Sequence, residues 1–306
     1  MVTDATTYLS GASYAIFKAL NGTNVTIGDL EESPVLRAKA IKNTVEKDGM
    51  IEAHIKDAIA VCKFASHLEK EIHFDKHWTE VSAAELLTKY RSQQLYNKGI
   101  SFHPISAFGS NGAIIHYTPS PSTDKNITKS SLFMSKFIHG SNKVILISVK
   151  TTNKLNDCLN FIVDSGGQYL DGTTDVTRTF VYGDIPTDEQ IEMYTRVLMG
   201  QIDLAKSSVP IKTKEKFLDI LARQYLFQKH LNYRHGTGHG IGAYLKVHEG
   251  PTYVGSTDRT YPGELRPNIF FSDEPGYYKE GEYGIRLENI IRTVLANSSV
   301  ETYGRL

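Results

Sequence analysis

Residues 163–179 read VDSGGQYLDGTTDVTRT. The apolar residues that end at Val163 predict a buried strand, and the glycine pairs that follow indicate that the chain folds back on itself. A two-residue turn at Asp171-Gly172 would leave Asp175 on the face of Asp164 but about four residues away, roughly 13 Å at ~3.3 Å per residue. We therefore expect the two carboxylates to meet only if the loop is wider or the strands twist. Aspartates beside glycines are also ordinary turn chemistry.

Helical periodicity accounts for much of the remaining chain. Periodicity and capping signals predict helices at 33–49, 50–72, 82–95, 187–204 and 214–229. The first two should be separated at Asp48-Gly49, and the spacings Ser82 to Glu85 and Thr187 to Gln190 match a capping box. The second helix is expected to bury one apolar stripe, made of Ile51, Ile55, Ala58, Ile59, Cys62, Ala65 and Leu68.

Strand signals occur in blocks between these helices. Apolar and β-branched runs predict strands at 113–117, 161–163, 268–271 and 284–294. Because the blocks show no regular βαβ alternation, the pattern favours an α+β fold over a doubly wound one.

The composition predicts a folded protein and excludes several function classes. Of the 306 residues, 40% are hydrophobic, and 34 Lys+Arg balance 34 Asp+Glu. A chain without a basic excess has little bulk attraction for nucleic acid or anionic membranes, and no apolar run approaches the ~18 residues of a membrane span. The first residues lack signal-peptide features, and the only cysteines, Cys62 and Cys158, fit a reducing compartment. We expect a cytoplasmic protein that binds neither nucleic acid nor membranes.

Three histidines lie within residues 235–251, which read HGTGHGIGAYLKVHEGP. His235 and His239 have the spacing of a zinc-binding helix, but the glycines between and after them exclude a stable helix. In an extended chain this even spacing keeps both imidazoles on one side. Residues 238–243 also match a G-x-G-x-x-A phosphate loop, but no helix clearly follows them. With His248 close by, the pattern favours a functional site over isolated structural histidines.

The third signal comprises two acidic segments near the end of the chain. Residues 272–278 read SDEPGYY, and residues 284–289 read GIRLEN. Glu288 lies within an apolar strand, where a carboxylate is costly unless it is paired or bound to metal. Arg286 shares its face, so a structural Arg–Glu pair and a metal site are both consistent with the pattern.

Together with GSNGAIIHYTP at 109–119, these segments resemble the pita-bread metallopeptidases of family M24, which include methionine aminopeptidase, prolidase and aminopeptidase P. The strings are most similar to the aminopeptidase P branch. The resemblance covers residues 34–128 and 154–294, and the helix at 49–62 is similar to the first long helix of the family's catalytic domain. It implies a curved antiparallel sheet covered by helices.

The resemblance also implies a site with two divalent metal ions. Its ligands would be Asp164, Asp175, His239, Glu274 and Glu288. Four carboxylates and one imidazole are mostly hard donors, which favour Mn²⁺ and also accept Co²⁺ or Zn²⁺. In the family, a hydroxide shared by the two ions attacks the first peptide bond of the substrate.

Five further residues take roles by the same resemblance. His116 and His248 would stabilise the reaction intermediate and move protons, and both would contact substrate. His235 would line the pocket for a proline at the second position of the peptide. Tyr278 and Arg286, acting through Asp164, would support the metal ligands.

The organisation of the chain is a further expectation. Residues 1–33 resemble the tail of a preceding domain, and residues 34–306 the catalytic domain without its last strand. Residues 129–153 have no counterpart in the family and are interpreted as a retained intron or gene-model error, with a lineage-specific loop as the alternative. The resemblance implies a homodimer for the full-length protein, and we do not extend that expectation to this shorter chain.

The function that the resemblance implies is metal-dependent release of an N-terminal residue that precedes proline. Prolidase, which cleaves Xaa-Pro dipeptides, is the enzymatic alternative. The non-enzymatic alternative is a module that binds protein or peptide without catalysis. Such modules typically lack the metal ligands, whereas all five ligand positions are present here.

Overall fold

The computed structural model describes residues 6–8, 15, 18–19, 26–28, 34–129, 160–182, 186–256 and 263–296. The α-helices with defined bounds are α1 Pro34–Ala40, α2 Thr44–His73, α3 Glu80–Ser92, α4 Asp188–Ala205 and α5 Asp219–Phe227. The strands are β1 Thr6–Tyr8, β2 Thr26–Gly28, β3 Trp78–Thr79, β4 Asn97–Ile100, β5 Ile105–Phe108, β6 Asn126–Ile127, β7 Asn160–Ser165, β8 Gly167–Tyr169, β9 Val176–Val181, β10 Gly238–His239, β11 Tyr253–Val254, β12 Phe270–Asp273, β13 Gly276–Lys279, β14 Tyr283–Arg286 and β15 Asn289–Arg292. Short 3₁₀ helices occupy Gly109–Ala113 and Glu215–Leu218. Across these ranges, no helix is both long and apolar enough to span a bilayer.

Antiparallel strand pairs form the centre of the molecule. Strand β7 lies between β5 and β9, while β12 pairs with β15 and β13 with β14. Single bridges join these units: Thr177 pairs with Glu288, and Gly240 pairs with Phe271. The segments that carry the predicted acids and His239 are therefore hydrogen-bonded to one another.

Two pairs of helices bury the apolar sides of these strands. Helices α2 and α3 contribute Phe64 and Leu87 to a cluster that includes Phe161 of β7. Helices α4 and α5 contribute Val197 and Leu226 to a second cluster with the strands β13 and β14. Removing this apolar surface from water stabilises the strand assembly from its helical side.

The expected break at Asp48-Gly49 is wrong, because α2 runs through both residues. The helix begins instead after Asn43, whose side chain accepts from the backbone of Glu46 in a complete capping box. A Cβ atom at Gly49 would lie 2.3 Å from the carbonyl oxygen of Asp171. This glycine therefore allows α2 to pack closely against the 163–179 segment, and it does not end a helix.

The predicted buried stripe of α2 is also wrong at most positions. Ile51, Ile55, Ala58, Ile59 and Cys62 are exposed, Ala65 is half-buried and only Leu68 is buried. The buried face is made of Met50, Ala53, Asp57, Ala60, Phe64, Leu68 and Ile72. The face that packs combines larger apolar residues with two alanines and one acid, and the stripe that contains the isoleucines remains exposed.

The remaining expectations have mixed outcomes. The capping box of Thr187 and Gln190 is confirmed at the start of α4, whereas α3 is capped by Thr79 and Ser82, three residues before the predicted position. Residues 113–117 form the end of a 3₁₀ helix and a turn, and no strand. Of the predicted insertion at 129–153, all but Lys129 lies outside the described residues.

Candidate metal centre

The two aspartates of residues 163–179 are brought together by a wide connection between β7 and β9. The strands pair directly, with Asp164 opposite Thr177, and residues 166–175 leave the ladder between them. Within this excursion Gln168 bridges Thr173, so the turn is centred on Leu170-Asp171 and not on Asp171-Gly172. Asp175 lies two positions from Thr177 along the strand direction, which puts it on the face of Asp164.

The side chains of His239, Glu274 and Glu288 come from three separate segments and converge beside these aspartates. One ligand atom each of Asp175, His239 and Glu288 lies within 4.8 Å of the others. The Nε2 atom of His239 is 3.4 Å from Asp175 Oδ2 and 3.6 Å from Glu274 Oε1. Asp164 lies close enough for its charge to raise the pKa of Asp175. The structure therefore places all five predicted ligand residues in one cluster.

Local backbone contacts orient His239 within the cluster. Its Nδ1 atom lies 3.0 Å from the carbonyl oxygen of Gly240, so this nitrogen carries the proton and Nε2 presents its lone pair to the acids. The backbone N–H of His239 donates to the hydroxyl of Ser272 at 2.9 Å. A Cβ at Gly238 would lie 2.0 Å from the Ser272 carbonyl oxygen, so only glycine allows this approach.

Asp175, Glu274 and Glu288 are held in an environment that opposes their charge. Burial, followed by the charges of Asp164 and Glu274, raises the pKa of Asp175 well above its ordinary value. Burial raises the pKa of Glu274 to about 8, and burial together with Asp175 raises that of Glu288. The Oδ1 atoms of Asp164 and Asp175 are buried and accept no hydrogen bond from any residue that the structure describes.

This combination fits divalent cations. Buried, mutually repelling carboxylates with unpartnered oxygens gain most from a positive charge placed between them. An imidazole nitrogen with a free lone pair completes a mixed oxygen and nitrogen donor set. The residues present therefore match a metal site in both charge and donor chemistry.

Arg286 organises the opposite side of the cluster. It donates to Asp164 Oδ2 at 2.7 Å and to the hydroxyl of Tyr278 at 2.8 Å. The buried partner of Arg286 is thus Asp164, whereas Glu288 accepts from Thr177 at 2.7 Å. The alternative of a structural Arg286–Glu288 pair, which the sequence left open, is not the arrangement found.

His235 is tied to this network by both ring nitrogens. Nδ1 donates to the carbonyl oxygen of Gly236 at 2.8 Å, and Nε2 accepts from the Tyr278 hydroxyl at 2.9 Å. Burial, followed by the charge of Arg286, lowers the pKa of His235 to about 3. The ring is therefore neutral near pH 7.

The other two histidines flank the cluster from separate loops. The ring of His248 lies 4.1 Å from that of His239, centroid to centroid, and desolvation followed by the charge of His239 lowers the pKa of His248 to about 4. His116 is exposed on the turn after the first 3₁₀ helix, and its charge would lower the pKa of both His235 and His248. His116 therefore lies within electrostatic range of both other predicted histidines.

Two hydroxyl side chains that hold the acids were not predicted. Thr177 donates to Glu288, and Ser272 donates to Glu274 Oε1 at 3.4 Å while accepting from His239. Each lies two residues from a predicted ligand, Thr177 after Asp175 and Ser272 before Glu274. On a strand this spacing puts side chains on the same face, which is the signal that could have identified both.

A buried ion pair behind the histidine loop was also missed. Arg223 binds Asp219 at 2.7 Å and donates to the carbonyl oxygens of Tyr233 and His235. The Thr237 hydroxyl donates to the same aspartate. Asp219 and Arg223 are four residues apart on α5, so the helical i,i+4 spacing is a local signal that could have identified the pair.

The chain is similar in sequence to known metallopeptidases. Residues 48–294 match the model for metallopeptidase family M24. A probable Xaa-Pro aminopeptidase P from Tuber melanosporum is 40% identical over 279 residues, 91% of this chain and 40% of that protein. Xaa-Pro aminopeptidase ApepP of Drosophila melanogaster is 42% identical over 266 residues, 86% of this chain and 38% of that protein.

Solved structures show the same similarity. The X-prolyl aminopeptidase of Caenorhabditis elegans, described as a cytosolic enzyme with a di-nuclear active site, superposes with a TM-score of 0.79 at 35% identity. The match covers 96% of this chain and 42% of that one. An X-Pro aminopeptidase from Thermotoga maritima, at 24% identity and a TM-score of 0.70 over 94% of this chain and 69% of its own, shares the fold.

Fold and site together define a pita-bread metallopeptidase domain, so the predicted fold is confirmed. The chain belongs to metallopeptidase family M24. It spans about 40% of the length of the curated relatives cited above.

Proposed function

We propose that this chain is the catalytic part of a metal-dependent aminopeptidase that releases an N-terminal residue preceding proline. The observation that carries the proposal is the cluster of Asp175, His239 and Glu288, with Glu274 3.6 Å from His239 and Asp164 close to Asp175. Among the described residues, Asp164 and Asp175 each retain one oxygen without a hydrogen-bond partner. Relatives about 40% identical are named Xaa-Pro aminopeptidases, and the C. elegans enzyme is described as cytosolic and di-nuclear.

The proposed metal ligands are Asp164, Asp175, His239, Glu274 and Glu288. Four carboxylates would balance two divalent ions, and their hard oxygen atoms favour Mn²⁺ over softer metals. When bound, such a pair supplies an activated water nucleophile and polarises the carbonyl group that is attacked. Two observations support this assignment. The lone pair of His239 Nε2 points toward the acids, and burial together with neighbouring acids raises the pKa of Asp175.

The surrounding side chains keep these ligands in place. Arg286 fixes Oδ2 of Asp164 and leaves Oδ1 without a hydrogen-bond partner among the described residues, and Thr177 fixes Oε2 of Glu288. Because these bonds are buried, each carboxylate has one orientation in which to meet a cation. The chain's own hydrogen bonds thus preorganise the site.

His235 suits a pocket for an apolar ring. Both of its ring nitrogens are bonded within the protein, so the surface it offers to a substrate is the neutral face or edge of the imidazole. A proline ring is apolar and has no N–H in a peptide, so it loses no hydrogen bond against such a surface. This supports proline at the second position of the peptide.

His116 and His248 are the remaining groups that can exchange protons with a substrate. His248 is neutral near pH 7 because desolvation lowers its pKa to about 4. A neutral imidazole can donate from one nitrogen and accept at the other. These two histidines would therefore hold the carbonyl oxygen and pass a proton toward the departing amine.

The substrate proposal is tested by comparing peptides of different length. With Mn²⁺ present, the chain should release arginine from Arg-Pro-Pro and leave Gly-Pro intact. Turnover of Gly-Pro alone would contradict the proposal and indicate a prolidase. Binding of Arg-Pro-Pro without cleavage would indicate a non-catalytic module.

A further inference from the structure

A buried polar group behind the aspartate-bearing segment has no part in the proposed reaction. Asp57 of α2 and Arg91 of α3 are 2% and 1% exposed, respectively. Arg91 binds Asp57 through two parallel contacts, Nε to Oδ1 at 2.7 Å and Nη2 to Oδ2 at 2.8 Å. Bidentate pairs of this kind fix both distance and orientation.

The pair is connected to the wide excursion at residues 166–175. Arg91 also donates to the carbonyl oxygen of Ser165 at 3.2 Å, and the Tyr169 hydroxyl donates to Asp57 Oδ1 at 3.0 Å. A Cβ at Gly167 would lie 3.0 Å from the same Asp57 oxygen, so the excursion packs directly on the pair.

Both ends of the excursion are held close to a proposed ligand. Ser165 immediately follows Asp164, and Thr174 immediately precedes Asp175. The Thr174 hydroxyl accepts from the Gly167 backbone N–H at 2.8 Å, which ties the two ends together. The two ends of the excursion are therefore held to each other directly beside Asp164 and Asp175.

The electrostatics of the pair agree with this arrangement. Burial alone would raise the pKa of Asp57, but the charge of Arg91 and hydrogen bonds from Arg91, Tyr169 and Thr174 lower it below its ordinary value. The charge of Asp175 also acts on Arg91. The Arg91 guanidinium is thus within electrostatic range of Asp175 from the helical side, as Arg286 is from the strand side.

From these contacts we infer that Asp57 and Arg91 are positioning residues, which hold the 166–175 excursion so that Asp164 and Asp175 bind metal together. The inference rests on the proposed metal site. It assigns a function to the buried acid of α2, which lies on an otherwise apolar helix face.

The test uses two mild variants and a matched control. Tyr169→Phe removes the hydroxyl that reaches Asp57, and Arg91→Lys keeps the charge but loses the two-pronged contact. Tyr182→Phe removes a buried hydroxyl that has no hydrogen-bond partner in the described part of the chain. Leu68→Ala, a core truncation, controls for a general loss of stability.

Two readouts separate positioning from stability. Deuterium exchange of peptides covering 161–177 should be faster in Tyr169→Phe and Arg91→Lys than in either control. Calorimetric titration with Mn²⁺ alone should show binding weakened about 10- to 100-fold in Arg91→Lys, the range for residues that support metal ligands.

Each outcome decides a separate point. Exchange at 161–177 no faster than in the controls would overturn the positioning role, even if the wild-type chain bound no Mn²⁺. Faster exchange with unchanged Mn²⁺ affinity would overturn the link to the metal site. If the wild-type chain binds no Mn²⁺ but peptides 161–177 exchange faster in Tyr169→Phe and Arg91→Lys than in the controls, the proposed function is contradicted. The positioning of the excursion is then still supported.

Discussion

Arg286 and Asp164 form a buried ion pair, with 2.7 Å between Nη2 and Oδ2. The same guanidinium donates to the Tyr278 hydroxyl, which in turn donates to His235. One arginine thus connects a proposed metal ligand to the proposed proline pocket, so a change at this position should affect both.

Replacing Arg286 by lysine should weaken metal binding and substrate binding together. Lysine keeps the charge but cannot hold Asp164 and Tyr278 at fixed angles. We expect Mn²⁺ affinity to fall about 10- to 100-fold, with a higher KM for Arg-Pro-Pro. Calorimetry and steady-state kinetics measure the two effects. Unchanged Mn²⁺ affinity would show that the pair does not support the site.

Replacing Glu288 by glutamine should have opposite effects on the metal-free and metal-bound chains. Without metal, a neutral amide removes the free-energy cost of burying a carboxylate next to Asp175, the same cost that raises the pKa of Glu288. We expect the Tm of the metal-free variant to rise by at least about 2–4 °C, the shift that 1 kcal/mol produces in a large domain. Metal stoichiometry should fall below that of the wild type.

The matched control for this change is Glu52→Gln, because Glu52 is exposed on α2. Its Tm and metal content should equal those of the wild type. A metal-free Glu288→Gln variant that is less stable than wild type would mean that the acids do not repel one another as described.

Replacing His235 by alanine should affect substrate binding more than metal binding. The imidazole is bonded to Gly236 and Tyr278 and is not among the proposed ligands. We expect the KM for Arg-Pro-Pro to rise about 10-fold, the loss of about 1.4 kcal/mol of binding, with Mn²⁺ stoichiometry unchanged. His77→Ala, at an exposed position, is the control. Loss of bound Mn²⁺ would instead place His235 among the ligands.

The Asp57–Arg91 pair predicts a defined dependence of stability on pH. The folded chain holds the pKa of Asp57 below its ordinary value of 3.8, so the unfolded chain binds the proton first as pH falls. The stabilisation is therefore complete above about pH 5 and is lost as pH falls through the folded pKa. The gap in unfolding free energy between wild type and Asp57→Asn should narrow from pH 5.5 to 3.5. A constant gap in urea titrations would contradict this.

The site could be predicted from the sequence to a greater extent than the packing. His239 and Glu288 stand out because glycines surround one and apolar residues the other, and such contexts are costly without a function. The convergence with Asp175 required a wide excursion, which the simple turn rule at Asp171-Gly172 does not describe. Knowledge of the whole β7–β9 ladder was needed to place the two aspartates on one face.

Helix α2 shows why packing was harder to predict. Its isoleucines form the more hydrophobic stripe, yet Ile55 is 51% exposed while Asp57 is 2% exposed. Asp57 is buried because Arg91, 34 residues away in sequence, neutralises it. Gly49 looked like a helix end in the sequence. Its actual role is to allow close contact with Asp171, which is a tertiary feature. Local periodicity in α2 reveals neither Arg91 as the partner of Asp57 nor Asp171 as the neighbour of Gly49.

We propose above that the five clustered residues hold two divalent ions and that the reaction needs both. The most direct measurement is the metal content of the purified, folded chain, made together with cleavage of Arg-Pro-Pro before and after chelation. We predict about two Mn²⁺ ions per chain, loss of cleavage on chelation, and recovery when Mn²⁺ is restored. A folded chain that binds no divalent ion, or that cleaves equally well without one, would contradict the account.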